Sequence, residues 1–89
     1  MGRQARERPE RLAEKLIQIR LNLGLSQSQM LAKLGLKERL SRRAISGYEL
    51  GTTEPSLPIL LSYSRLANVH LEVLVDDKMD LPNKRPTKK

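Results

Sequence analysis

Glycines interrupt the apolar pattern of this chain at short intervals, at Gly24, Gly35 and Gly51. A glycine that directly follows apolar residues at helical spacing is a common helix stop, because it adopts the left-handed conformation at little cost. The segments between these stops leave room only for short helices. Their spacing therefore predicts several short helices joined by tight turns.

Helix starts and stops divide the chain into five predicted helices. Ser26 with Gln29 three residues later forms the pattern of a capping box at the second start. The five predicted starts are Pro9, Ser26, Ser41, Ser56 and Leu71, and the first four stops are Gly24, Gly35, Gly51 and Asn68. In the fourth helix, the residues expected to face the core are Leu57, Leu60, Leu61, Tyr63 and Leu66. The prediction is an all-α fold.

Composition restricts both the fold and the function. With 89 residues the chain has room for one domain, and a core without Phe or Trp must be built from Leu, Ile and Val. The absence of Cys and the single residue His70 exclude a disulfide framework and leave no plausible metal cluster. No Gly-rich phosphate loop is present, so we expect no enzyme, no cofactor and no small-molecule ligand. The acidic pair Asp76 and Asp77 is interpreted as a solvated helix end rather than a catalytic pair.

The charge indicates a polyanionic partner. Seventeen Lys and Arg against ten Asp and Glu give a formal net charge of +7, which suits nucleic acid. Residues 1–8 and 83–89 are interpreted as basic tails around a folded domain of residues 9–82. No apolar run is long enough to span a bilayer and no signal peptide is evident, so we expect a cytoplasmic, nucleoid-associated protein.

Three motifs in fixed order carry a family resemblance. They are LGLSQSQMLAKLG at residues 23–35, AISGYELG at 44–51 and EPSL at 54–57. In this order they resemble the phage repressor and Cro (Xre-type) family of helix-turn-helix proteins, over about residues 10–75. The resemblance implies a compact five-helix, lambda-repressor-like DNA-binding domain. It also implies sequence-specific binding of double-stranded DNA by a transcriptional regulator, more often a repressor than an activator, with helix 41–50 in the major groove.

The resemblance and the residue types together predict a set of contacts. The expected base contacts come from Arg42, Arg43, Ser46 and Gly47. Arginine suits guanine because its guanidinium donates to O6 and N7 together, and small residues let the backbone approach the groove or leave room for a thymine methyl. Gly47 could equally be a tolerated glycine. The expected phosphate contacts come from Gln27, Ser28, Lys37, Arg39, Ser41, Thr52 and Thr53. The resemblance further implies a partly buried, structural ion pair between Arg20 and Glu49.

The chain departs from the family pattern between the second and third helices. About four extra residues, Lys37 to Leu40, stand before the third helix. They either lengthen the turn, which is the interpretation we favour, or begin the recognition helix early. Surplus apolar residues at Ile17, Leu21, Met79 and Leu81 could cover one another or form a dimer interface, and the resemblance implies a homodimer on DNA.

Two other classes of function stay open at this point. The same fold could serve as an antitoxin or as a protein-interaction adaptor. RNA binding is less favoured, because the chain lacks the set of aromatic residues on which single-stranded bases stack.

Overall fold

The computed structural model describes residues 8–82 and contains five α-helices in that range, with no strand. They are α1 (Leu12–Asn22), α2 (Gln27–Lys33), α3 (Arg42–Leu50), α4 (Leu57–Ala67) and α5 (Leu71–Val75). The predicted all-α class and the number of helices are confirmed. Of the two predicted basic tails, only Arg8 lies within the described residues. No helix in residues 8–82 is long and apolar enough to cross a membrane.

The turns form where the local sequence predicts them. Gly24, Gly35 and Gly51 have φ values of 72°, 75° and 79°, and Asn68 ends α4 with a φ of 58°. The capping box at α2 is complete, because the Ser26 hydroxyl accepts from the Gln29 amide at 3.0 Å and the Gln29 side chain accepts from the Ser26 amide at 2.8 Å. Short-range chemistry therefore sets most helix ends.

Two predicted details of the helix starts are wrong. Helix α1 begins at Leu12 rather than near Pro9, and the preceding residues Glu10 and Arg11 donate their backbone N–H groups to the Asp77 carboxylate at 2.9 and 3.0 Å. Ser41 and Ser56 occupy the N-cap positions of α3 and α4 with extended backbones, but neither side chain makes a capping hydrogen bond.

The core is a single cluster built around α1, which packs against α3, α4 and α5. Leu16, Met30, Ile45, Tyr63 and Leu74 are its most deeply buried apolar residues. The expectation that Leu57 and Leu61 face this core is wrong, since they are 65% and 36% exposed. Leu61 lies about 100° around α4 from the buried Leu60, and Leu57 follows the exposed Ser56 in the first turn.

Polar contacts hold residues 73–80 against α1 and the residue that precedes it. Lys15 is 2% exposed, and its ammonium donates to the backbone carbonyls of Val73 at 2.8 Å and Asp76 at 2.9 Å. Burial lowers the pKa of Lys15. Arg11 binds the Asp80 carboxylate at 2.7 Å and the Asp77 carbonyl at 2.9 Å. The interpretation of Asp77 as part of a solvated helix end is therefore wrong, since it connects the two ends of the domain.

Replacing Asp77 with Asn should lower the melting temperature at neutral pH, because the amide offers one acceptor oxygen and no charge to two N–H donors. The hydrogen bonds from Glu10 and Arg11 hold the pKa of Asp77 below its ordinary value of 3.8. The carboxylate therefore adds stability that is complete above about pH 5 and is lost as the pH falls through the lowered pKa. Thermal unfolding followed by circular dichroism should show a difference between native protein and variant at about pH 7 that narrows at an acidic pH below the ordinary value of 3.8.

Glu72→Gln is the matched control for this experiment, because Glu72 is exposed on α5 and the substitution removes the same charge. A difference between Asp77→Asn and the native protein that persisted unchanged at the acidic pH would contradict the role assigned to the carboxylate.

Candidate nucleic-acid interface

Helices α2 and α3 pack against each other across the segment 34–41. Residues 37–39 form a turn in which the amides of Arg39 and Leu40 donate to the Leu36 carbonyl at 2.9 and 2.8 Å. The extra residues therefore lengthen the turn, and α3 begins only at Arg42, as favoured from the sequence. Leu36 is buried in the core and Leu40 packs against it. These two leucines therefore hold the longer turn against the core.

Helix α3 has one face toward the protein and one toward solvent. Ile45, Tyr48 and Glu49 are buried. The opposite side, which we call the α3 outer face, consists of Arg43, Ser46, Gly47 and Leu50. These residues follow an i, i+3, i+4, i+7 spacing, which places them in one row along the helix. A recognition helix that lies in the major groove presents residues to base edges at this same spacing.

The two arginines at the start of α3 have different surroundings. Arg42 is directed toward α2, where its guanidinium donates to the Gln27 side-chain oxygen at 3.4 Å. Arg43 is exposed, and none of residues 8–82 accepts a side-chain hydrogen bond from it. The sequence predicts base contacts from both arginines. The structure places only Arg43 in the row of the α3 outer face.

Side chains from three helices meet at the carboxylate of Glu49. This residue is only 7% exposed. Arg20 of α1 donates to both of its oxygens, from Nε at 2.7 Å and from Nη2 at 3.0 Å. Gln27 of α2 adds a third hydrogen bond from its amide nitrogen at 3.0 Å. The hydrogen bonds to Glu49 raise the pKa of Arg20. The contact between Gln27 and Glu49 was not predicted from the sequence, and no local pattern indicates it.

Gly47 is explained by its neighbours on the following turn. Thr52 and Thr53 both donate their backbone N–H groups to the Gly47 carbonyl, at 3.0 and 3.3 Å. A Cβ at residue 47 would lie 2.7 Å from the Thr53 hydroxyl oxygen, closer than carbon and oxygen normally approach. A larger residue at position 47 would therefore require the exposed Thr53 side chain to shift, and the backbone donors of both threonines are already used.

The other predicted contact residues lie on the surface around α3. Ser28 is exposed in the first turn of α2, and Lys37, Arg39 and Ser41 are exposed on the segment that precedes α3. Leu50 was missed as a candidate, although its position seven residues after Arg43 was visible in the sequence. No group of three or more metal-ligating side chains occurs in the described part of the chain.

The sequence profile of the helix-turn-helix family matches residues 16–74, about two thirds of the chain. The chain belongs to the helix-turn-helix family. The matching family profile is of the Cro/C1 type, which confirms the resemblance to phage repressors. The protein is a DNA-binding transcriptional regulator rather than an enzyme.

A solved structure gives independent support for the fold. The P22 c2 repressor protein, crystallised with a synthetic operator in the presence of Tl⁺, is 26% identical to this helix-turn-helix protein, with a TM-score of 0.64. The match covers 74% of this chain and 94% of the repressor chain. It confirms the predicted lambda-repressor-like domain. The search of curated proteins finds no significant match.

Replacing Glu49 with Gln should lower the free energy of unfolding by about 3 kcal/mol, because the mostly buried Arg20 guanidinium would lose its counter-charge. Urea denaturation at neutral pH measures the effect, and Glu72→Gln on the exposed side of α5 is the control with the same loss of charge. The double variant Arg20→Met with Glu49→Gln should lose less than the sum of the single variants. Equal, small effects for Glu49→Gln and Glu72→Gln would rule out the structural role of the pair.

Replacing Gly47 with Ala tests the contact with Thr53. Helix propensity alone predicts a gain of about 1 kcal/mol for an interior Gly→Ala substitution. In the native background the short distance to the Thr53 hydroxyl should cancel or reverse this gain, whereas in a Thr53→Ala background the gain should appear in full. Urea denaturation of the four proteins measures the difference, and an identical gain in both backgrounds would refute the steric explanation.

Proposed function

We propose that this protein is a sequence-specific transcriptional repressor that reads base edges in the major groove of double-stranded DNA with α3. The observation that carries the proposal is the α3 outer face, where Arg43, whose guanidinium has no acceptor within residues 8–82, stands in one row with the small residues Ser46 and Gly47. Such a row lets the helix backbone approach the groove while one long side chain reaches a base. Arg43 is then the base reader, with guanine as its preferred partner.

The residues around this face have the chemistry for phosphate. The Gln27 amide uses one N–H for Glu49, which leaves a second for an outside acceptor. Ser28, Lys37, Arg39 and Ser41 are exposed nearby in α2 and the following turn. Thr52 and Thr53 lie beyond the other end of α3. Their amides and the Thr52 hydroxyl already donate to the Gly47 carbonyl, so the Thr53 hydroxyl is the donor that remains for this role. Phosphate contacts on both sides of a recognition helix fix its register in the groove.

Arg42 has a different role in this proposal. Its hydrogen bond to Gln27 directs it toward the residue that we assign to phosphate rather than along the α3 outer face. Arg42 therefore supports backbone binding, and its contribution should be similar for every DNA sequence.

The similarity to the P22 c2 repressor, which was solved on an operator, supports double-stranded DNA as the partner and repression as the mode of action. We further propose a homodimer that binds two half-sites about 34 to 36 Å apart, acting on chromosomal or phage DNA in the cytoplasm. The apolar side chain of Leu21 is 55% exposed and is available for such an interface, whereas Leu81 packs largely against the protein's own core.

Selection of bound sequences from a random duplex pool tests the proposal and supplies the operator. Arg43→Ala should then lose about 10- to 100-fold of the discrimination between operator and random DNA, which corresponds to ~1 to 3 kcal/mol for one bidentate base contact. Arg42→Ala should weaken binding to both DNAs equally. Arg65→Ala, which removes an exposed arginine from α4 outside the helix-turn-helix, is the control and should leave discrimination unchanged.

The salt dependence of binding distinguishes this proposal from a protein-binding adaptor or antitoxin. Affinity for the selected operator should fall by about 0.9 log units per log unit of salt for each phosphate neutralised. No enriched sequence and a flat salt response would overturn the proposal and support the alternative.

A further inference from the structure

Leu50 is the most exposed large apolar side chain in residues 8–82, with 73% of its surface accessible. It is the last residue of α3 and has no place in the hydrophobic core. Leu50 differs from the other exposed leucines in its place on the α3 outer face, in one row with Arg43 and Ser46.

Leu50 lies in the same row as Arg43, since seven residues correspond to almost two full turns and roughly 10 Å along the axis. Ser46 and Gly47 stand between them. Ser46 is small, and the Thr52 and Thr53 side chains lie beside the position that a Gly47 side chain would occupy. Arg43 and Leu50 are the long side chains of the row, so one surface in contact with the α3 outer face would touch both.

The major-groove edges of the bases offer one apolar group, the C5-methyl of thymine, which apolar side chains contact. 5-Methylcytosine presents the same group on a different base pair. Successive base pairs are about 3.4 Å apart, so the distance along α3 spans at most roughly three base pairs, the value for a helix parallel to the DNA axis.

We propose that Leu50 contacts the C5-methyl group of a pyrimidine within about three base pairs of the base that Arg43 reads. This inference rests on the proposed function and adds to it a second specificity-determining residue. In this proposal α3 recognises bases with one polar side chain, that of Arg43, and one apolar side chain, that of Leu50. The preferred operator then contains a thymine, or a methylated cytosine, at a fixed distance from a guanine in each half-site.

Replacement of single operator thymines by deoxyuridine isolates this contact, because uracil lacks only the methyl group and keeps the hydrogen-bonding groups of thymine. The native protein should lose about three- to fivefold in affinity at one thymine per half-site, as expected for one buried methyl group. Leu50→Ala should bind the unmodified operator more weakly by at least this factor and should be insensitive to deoxyuridine at that position alone.

Leu57→Ala is the matched control, because Leu57 is a 65% exposed leucine on another helix, α4. It should keep the full response to deoxyuridine. An operator with a C·G pair in place of the contacted T·A pair separates the two sources of methyl. Methylation of that cytosine at C5 should recover affinity for the native protein and leave Leu50→Ala unchanged.

The outcomes separate this inference from the proposed function. Enrichment of an operator whose thymines respond identically to deoxyuridine in the native protein and in Leu50→Ala would overturn the role of Leu50 and leave the proposed function in place. Equal weakening of Leu50→Ala on operator and random DNA would also overturn it. Failure to enrich any sequence would overturn both. Thermal unfolding of Leu50→Ala should match the native protein, since the side chain is exposed and alanine favours helix.

Discussion

The buried carboxylate of Glu49 fixes the position of α3, and the proposed interface depends on it. It accepts two hydrogen bonds from Arg20 of α1 and one from Gln27 of α2, so three helices share one charged group. A buried charge is tolerated only when its partners are in place, and a shift of any of these helices would leave it unsatisfied. The orientation of α3 around its own axis follows from this constraint. With Glu49, Ile45 and Tyr48 turned inward, the helical period turns Arg43 and Leu50 toward solvent.

Gln27 connects this internal network to the surface. Its amide nitrogen binds Glu49, while its oxygen accepts from Arg42 at the exposed start of α3. A phosphate bound at Gln27 would therefore be connected to the buried ion pair through the hydrogen bond between Gln27 and Glu49. Contact with the DNA backbone would in this way reinforce the packing of α2 on α3. This arrangement gives the two adjacent arginines separate tasks. Arg42 belongs to the network, and Arg43 lies outside it, in the row that includes Leu50.

Features governed by neighbouring residues could be predicted from the sequence, and features governed by distant residues could not. The stops at Gly24 and Gly51 and the capping box at Ser26 are short-range, and the structure contains them. The residues before α1 bind Asp77, which is 66 residues away from Arg11, and Lys15 is buried because the carbonyls at the end of α5 accept from it. Such contacts leave no local pattern. The pair of Arg20 and Glu49 was expected only from family resemblance, and the exposure of Leu50 was readable from helical spacing but was not considered.

The lengthened turn before α3 shows why the interface can tolerate an insertion. Its amides donate to the Leu36 carbonyl, and Leu36 and Leu40 attach it to the core, so the added residues are accommodated within the turn. The side chains that orient α3 are those of Arg42 and Glu49, which lie outside the turn. Both form hydrogen bonds with Gln27 on α2. The relation between the two helices of the motif is therefore set by side chains rather than by the length of the connection. An insertion at this point can add Lys37 and Arg39 to the positively charged surface without turning the α3 outer face away from its target.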